Sequence, residues 1–423
     1  MKAAAVVGAL AALLIAPAAA RAVNPVSFSP VGDMTIARDY PGAAPLSDGK
    51  VLIAGGCSAG GGATCLNTAE IFDPMTNTFS AAGLGTMSTK RWAPATAALP
   101  DGRILVAGGW DGTNDVTSAD VFNPSTKTFS SVGPLGVARE AAAAAPLPDG
   151  RVLVAGGYSN TDDTNTTEIF NPTTNSFSPG PPLPGPEYGA PGVVISGGRV
   201  LIAGGYHSPN YLSSAFVFNP SSSTFSAVGS LATARYAPAG ATLPGGRALI
   251  AGGYYSPPVS TYLTATEIFD PATNTFSSAG VGQLNHKREE AAGAELPDGR
   301  ALVAGGWDGT AVKSAEVLSV PSNAFTAKVK GRKVKFSVSN EGVAQVTDVS
   351  TQVATTAKKK KKKPKLVKTT SAHGGPGTIT VKIKLSKQGS AKLREKGKLK
   401  VRVVYTPDQG LSATKKLKLR AGK

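Results

Sequence analysis

The chain has 423 residues, including 50 glycines and 31 prolines, and only 17% of it is charged. This profile excludes long-helix and coiled-coil proteins and wholesale disorder, and it favours many short strands joined by tight turns. The net charge of +17 conceals two opposite parts: residues 1–325 carry 17 basic and 23 acidic side chains, whereas residues 326–423 carry 27 and 4.

The chain begins with Lys2, an apolar run at 3–16 and the small residues PAAARA at 17–22. That order is expected of a secretory signal peptide spanning residues 1–22, cleaved after Ala22 or Ala20. The run is short of the ~20 strongly apolar residues of a membrane span, and no later segment can cross a bilayer as a helix. The expectation is a secreted or cell-surface-associated protein with no transmembrane helix after cleavage.

From residue 23 to about 325 the sequence repeats. VLIAGG (51–56), ILVAGG (104–109), VLVAGG (152–157), VLIAGG (200–205), ALIAGG (248–253) and ALVAGG (301–306) recur at spacings of 53, 48, 48, 48 and 53. A strand of small residues precedes each, across a turn such as DGR. A third strand follows, as in AEIFDP (69–74), and then a short fourth, as in NTFS (77–80). Four short strands per unit of ~50 residues make the blade of a propeller. The inner strand is small because blades converge on the axis, and the second is apolar on both faces because neighbouring blades enclose it. NPVSFS (24–29) reads as an extra fourth strand that ties the last blade shut. The alternative is that NAFT (323–326) completes that blade itself.

The Gly-Gly after an apolar strand, the acidic-aromatic third strand and the aromatic of the fourth resemble the kelch repeat in order and period. Phe79, Phe129, Phe177, Phe225 and Phe276 stand where kelch repeats usually have Trp. The resemblance implies an all-β chain with a six-bladed kelch-type β-propeller over residues 23–325.

Differences between the units fall in two connections. The second-to-third connection has 12, 9, 9, 9, 12 and 8 residues, and the fourth-to-first has 10, 8, 8, 8 and 10. Both emerge on one face of an antiparallel blade, so the variation maps to one mouth, where repeat proteins usually bind. Arg38, Arg91, Arg139, Arg235 and Arg288 open five inner strands there, with Glu187 in the fourth unit. Kelch domains that bind acidic peptides are similar in placing arginines at this point. Trp110, Asp111, Tyr158, Tyr206, His207, Tyr254, Tyr255, Trp307 and Asp308 follow the glycines. Arginine forks with aromatic faces suit a glycan or an acidic peptide. The other reading of each arginine is that it ties down its own loop through backbone carbonyls.

No catalytic constellation emerges, and neither a metal site nor a cofactor is expected. The propeller has two histidines, His207 and His286, with Tyr206 and Tyr211 near the first. Copper-radical oxidases such as galactose oxidase are similar in using two His and two Tyr on a kelch propeller, which makes a carbohydrate-active copper oxidase the alternative to a binding protein. They also need a Cys joined to a Tyr. Here Cys57 and Cys65 lie in one loop, and in an exported protein their simplest fate is a local disulfide.

Residues 326–423 alternate apolar with Lys or Arg, as in KVKGRKVKFSVS (328–339) and KLKVRVVY (398–405). The pattern is expected of a half-buried antiparallel sheet and resembles a small immunoglobulin-like β-sandwich. Lys358–Lys363 form a polylysine loop within it. On an exported protein this loop is expected to adhere to an anionic envelope polymer through many weak contacts, and it would bind nucleic acid without specificity.

Overall fold

The structure is a computed structural model that describes residues 26–59, 64–256 and 259–319, and thereafter the backbone of the strands between 325 and 420. The expected signal segment 1–22 and the Lys358–Lys363 loop lie outside the described residues.

Residues 28–318 form six four-stranded antiparallel sheets. Blade one takes Gly42–Pro45, Val51–Ala54, Ala69–Asp73 and Thr78–Ser80 from inside to outside. Blades two to five repeat this order with inner strands Ala95–Ala98, Ala143–Pro146, Gly192–Ile195 and Ala239–Leu243. Blade six consists of Ala292–Glu295, Ala301–Ala304 and Ala315–Leu318, and its outermost place is filled by Phe28–Pro30 from the other end of the chain. Phe28 pairs with Leu318 there, where the other blades set the Phe of the third strand against that of the fourth, with ring centroids 4.8–5.0 Å apart.

The core lies between blades. Every second strand is buried on both faces, and each apolar cluster combines two neighbours, as Leu105 and Ala107 of blade two do with Val152, Val154 and Phe170 of blade three. The inner strands need their small residues. A Cβ on Gly293 would stand 2.3 Å from the Gly240 carbonyl oxygen of the next blade. Under-sized side chains are therefore a condition of convergence, not a loss of packing.

At the mouth a belt of backbone hydrogen bonds runs round the axis. Tyr40 N donates to Glu290 O, Ala93 N to Tyr40 O, Ala141 N to Ala93 O, Gly189 N to Ala141 O and Glu290 N to Ala237 O, at 2.8–3.0 Å. All six residues of this ring, Ala237 included, have φ between 47° and 77°, a region that L-residues enter only when the surroundings hold them there. Here the interblade bonds do so.

Beyond the propeller, Phe325–Lys330 pairs with Lys333–Val338 rather than with blade six, and Gly377–Lys382 completes a three-stranded sheet. Thr370–Gly374, Gly342–Asp348, Lys398–Pro407 and Ala413–Arg420 form a four-stranded antiparallel sheet in that order.

Candidate functional site

The five arginines singled out in the sequence are at most 1% exposed and turn into their own blades. Arg38 Nη1 donates to Gly55 O at 2.8 Å and to Thr68 O at 3.0 Å, while its Nε meets Glu70 Oε1 at 3.1 Å. Arg91 makes the same set with Gly108 O, Ser118 O and Asp120. Arg139 does so with Gly156 O, Thr166 O and Glu168, Arg235 with Gly252 O, Ala265 O and Glu267, and Arg288 with Gly305 O, Ser314 O and Glu316.

Their role as ligand contacts is therefore corrected, and the physical reason is local. Where the second and third strands part at the mouth, two carbonyls per blade converge. A guanidinium supplies donors to both, and a carboxylate beside it balances the charge. That carboxylate is held in turn by backbone N–H groups just before the arginine, as Glu70 is by Thr35 N at 2.7 Å. A signal for this pairing exists in the sequence: Arg and the acid of the third strand occur together in five units, and both are replaced in the fourth, by Glu187 and Phe216.

The residue after each arginine is the one that faces the mouth. Asp39, Trp92, Glu140, Tyr188, Tyr236 and Glu289 occupy these places, and spacing alone did not single them out. Together with the predicted aromatics they build a continuous belt of rings. Tyr40 contacts Trp92 at 5.2 Å and Tyr236 at 6.4 Å, Trp92 contacts Trp110 at 6.4 Å, and Tyr236 contacts Tyr188 at 5.4 Å. Tyr188 touches Tyr158 and Tyr206, and Tyr211 links Tyr206 to Tyr254 and Tyr255. Trp307 joins by hydrogen bonding to Tyr262, which contacts Tyr254 at 5.3 Å. The predicted Trp110, Tyr158, Tyr206, Tyr254 and Trp307 are all half-buried in this one assembly. Tyr40 stretches across the axis towards Gly189 of the opposite blade, where any side chain would collide with Tyr236.

Carboxyls punctuate the belt. Asp39 accepts from Trp92 Nε1 at 3.1 Å and lies carboxyl to carboxyl with Glu290. Burial foremost, then the shared proton and the charge of Asp39, raises Glu290 well above the carboxylate range. Glu289 is pushed up to about 8 by burial and by the charge of Asp39. Across the mouth, Glu140 is pushed up to about 8 by burial and by its contact with Asp115. Asp115 is itself fastened to the backbone and side chain of Asn160. Among the described residues, the mouth thus presents aromatic faces and protonatable carboxyls, and none of the five buried arginines.

Short hairpins project from blades three, four and five: Tyr158–Ser159 with Asp162–Asp163, Tyr206–His207 with Asn210–Tyr211, and Tyr254–Tyr255 with Thr261–Tyr262. His207 Nδ1 lies 2.9 Å from Asp163 Oδ2, and His286 Nε2 lies 2.7 Å from Asp308 Oδ2. Each histidine is occupied by its own aspartate. Cys57 and Cys65 are joined to each other, so neither is available to a tyrosine. Among the described residues no group of three or more His, Cys, Asp or Glu could hold a metal ion. The donor set of a copper-radical centre does not fit these residues. Asp111 caps its own turn through Thr113 N and Asn114 N.

The Kelch motif model matches residues 40–83, 91–136, 141–184 and 189–232, which are blades one to four. The two unmatched blades are the fifth, with its longer loops, and the sixth, divided between the chain ends. No curated protein matches the chain in sequence. Among solved structures, that of YjhT is similar at 14% identity with a TM-score of 0.57, covering 72% of this chain and 98% of the other. A fungal alcohol oxidase of the AA5 family, in complex with copper, is similar at 12% identity with a TM-score of 0.53, covering 94% of this chain and 100% of the other. At such identities the likeness is one of fold alone. Four matched Kelch motifs make residues 40–232 similar to Kelch repeats, and six blades of one topology make residues 28–318 a six-bladed β-propeller.

Proposed function

We propose that this protein is an exported binding protein whose propeller mouth recognises a glycan. The observation that carries the reading is the continuous belt of half-buried rings interrupted by carboxyls. Ring faces stack on the C–H faces of sugars, and carboxyls exchange hydrogen bonds with hydroxyl groups. The acidic-peptide alternative loses its support, because it required arginines that are occupied inside the blades. A copper oxidase loses its support with the histidines and cysteines already engaged.

The basic residues 326–423 form, on this reading, an immunoglobulin-like module that retains the protein on an anionic polymer through Lys358–Lys363. Its three-stranded and four-stranded antiparallel sheets support the first part, and its 27 basic against 4 acidic side chains support the second.

The test is a glycan array probed with the full chain at low and high salt, beside Trp110→Ala and Tyr206→Ala. Binding to defined glycans that survives 0.5 M salt (a concentration of about five times the usual, where surface charge is screened) and is lost in both variants is the expected result. Binding that disappears with salt and ignores both substitutions would leave the mouth without a ligand.

A further inference from the structure

The fourth blade lacks the ion pair of the other five while keeping the backbone that surrounds it. Gly204 N donates to Ser214 O at 3.0 Å, and the corresponding bonds in the other five blades measure 3.0–3.1 Å. In those blades the two carbonyls converge on one guanidinium nitrogen, as Gly55 O and Thr68 O do on Arg38 Nη1 at 2.8 and 3.0 Å. In blade four the same place in the chain holds Glu187, and no donor reaches Gly204 O among the described residues. Glu187 is 3% exposed and its Oε1 has no partner.

Two further replacements belong with this one. Phe216 stands where the other third strands carry Glu or Asp. Pro184 stands where Thr35, Ser88, Gly136, Ala232 and Asn285 donate their N–H to that acid, and proline has no N–H to give. The arginine, its counter-charge and the donor that held the counter-charge have all gone. What is left is a buried carboxyl at the arginine's place in the chain, and two carbonyls whose counterparts elsewhere face a cation.

We infer that blade four binds a small monovalent metal cation at Glu187, Gly204 O and Ser214 O, replacing from solution the positive charge that arginine supplies in the other five blades. One carboxylate neutralises one such charge. A divalent ion would remain half-compensated in a buried place and asks for six to eight oxygens when it is calcium. Burial alone pushes Glu187 up to about 8, so cation and proton compete for the same oxygens and the ion binds more tightly as pH rises.

The experiment is thermal melting of the full chain at fixed ionic strength in sodium, potassium or tetramethylammonium chloride. Sodium or potassium should raise the melting temperature saturably by about 2–8 °C over tetramethylammonium, more at pH 9 than at pH 6, and Glu187→Gln should abolish the difference. Identical melting in all three salts, as a neutral Glu187 with water beside it would give, overturns the inference. So does a cation effect that survives Glu187→Gln. Should that variant fail to fold, crystals of the unaltered protein soaked in thallium(I) decide the matter: an anomalous peak between Gly204 O and Ser214 O is expected, and its absence overturns the inference.

Discussion

Two neighbouring positions in each blade have opposite histories. The arginine position is alike in five blades and buried in all of them, with the same two carbonyls and an acid as partners. The next residue is Asp, Trp, Glu, Tyr, Tyr and Glu in turn, and it lines the mouth. Sameness round the ring marks what every blade needs in order to stand beside its neighbours. On the proposed reading, variety round the ring marks the surface where six blades act on a single glycan, which has no six-fold symmetry of its own.

The comparison can be broken most severely at the arginines. Arg139→Met leaves Glu168 buried without its partner and should cost roughly 3–5 kcal/mol, read by chemical denaturation, whereas Arg139→Met with Glu168→Met should recover part of the loss, Gly156 O still lacking its donor. A single variant as stable as the parent would return the arginine to the list of surface groups.

A second expectation concerns pH. Glu140 and Glu289 have folded values of about 8 against an ordinary 4.5. A carboxyl raised in the folded state contributes stability that is fully present below its unfolded value and is lost as pH rises through its folded one. Melting temperature should therefore fall between pH 5 and pH 9, and Glu140→Gln should flatten the decline. A melting temperature that rises over this interval would show that the mouth carboxyls ionise freely.

The smallest effect on stability belongs to the mouth aromatics. Trp110→Ala should leave the melting transition within ~1–2 kcal/mol of the parent while weakening glycan binding tenfold or more. Loss of stability comparable to that of Arg139→Met would erase the distinction between the two positions.

Much of this was legible in the residues, and the misreading has a definite cause. Six Gly-Gly strands at near-constant spacing specify blades because a strand enclosed by two neighbours must be apolar on both faces, as Val51–Ala54 is. Spacing also put the arginines at the mouth, but it carries no information on whether a side chain there turns inward or outward. Arg38 turns inward because Gly55 O would otherwise be left without a donor. Partnership within the unit held the answer: Glu187, Phe216 and Pro184 change together, as parts of one socket do. The aromatic belt was half visible. Tyr158, Tyr206 and Tyr254 follow the glycines and were accessible to periodicity, whereas Tyr188, Tyr236 and Trp92 belong to the variable position, where no periodicity exists.

The split sixth blade sets a schedule for making the molecule. Phe28 and Leu318 lie about 290 residues apart, which at typical rates of synthesis is roughly 15–60 s. Throughout that interval the first strand to be made has no partner, and blade six has no outer edge. Five blades can assemble in order as they emerge, but the ring stays an open arc with an exposed strand at one end until the last unit arrives. Any factor that holds the early strand in solution, or keeps it from pairing with a second copy of the chain, would act in that window and nowhere else.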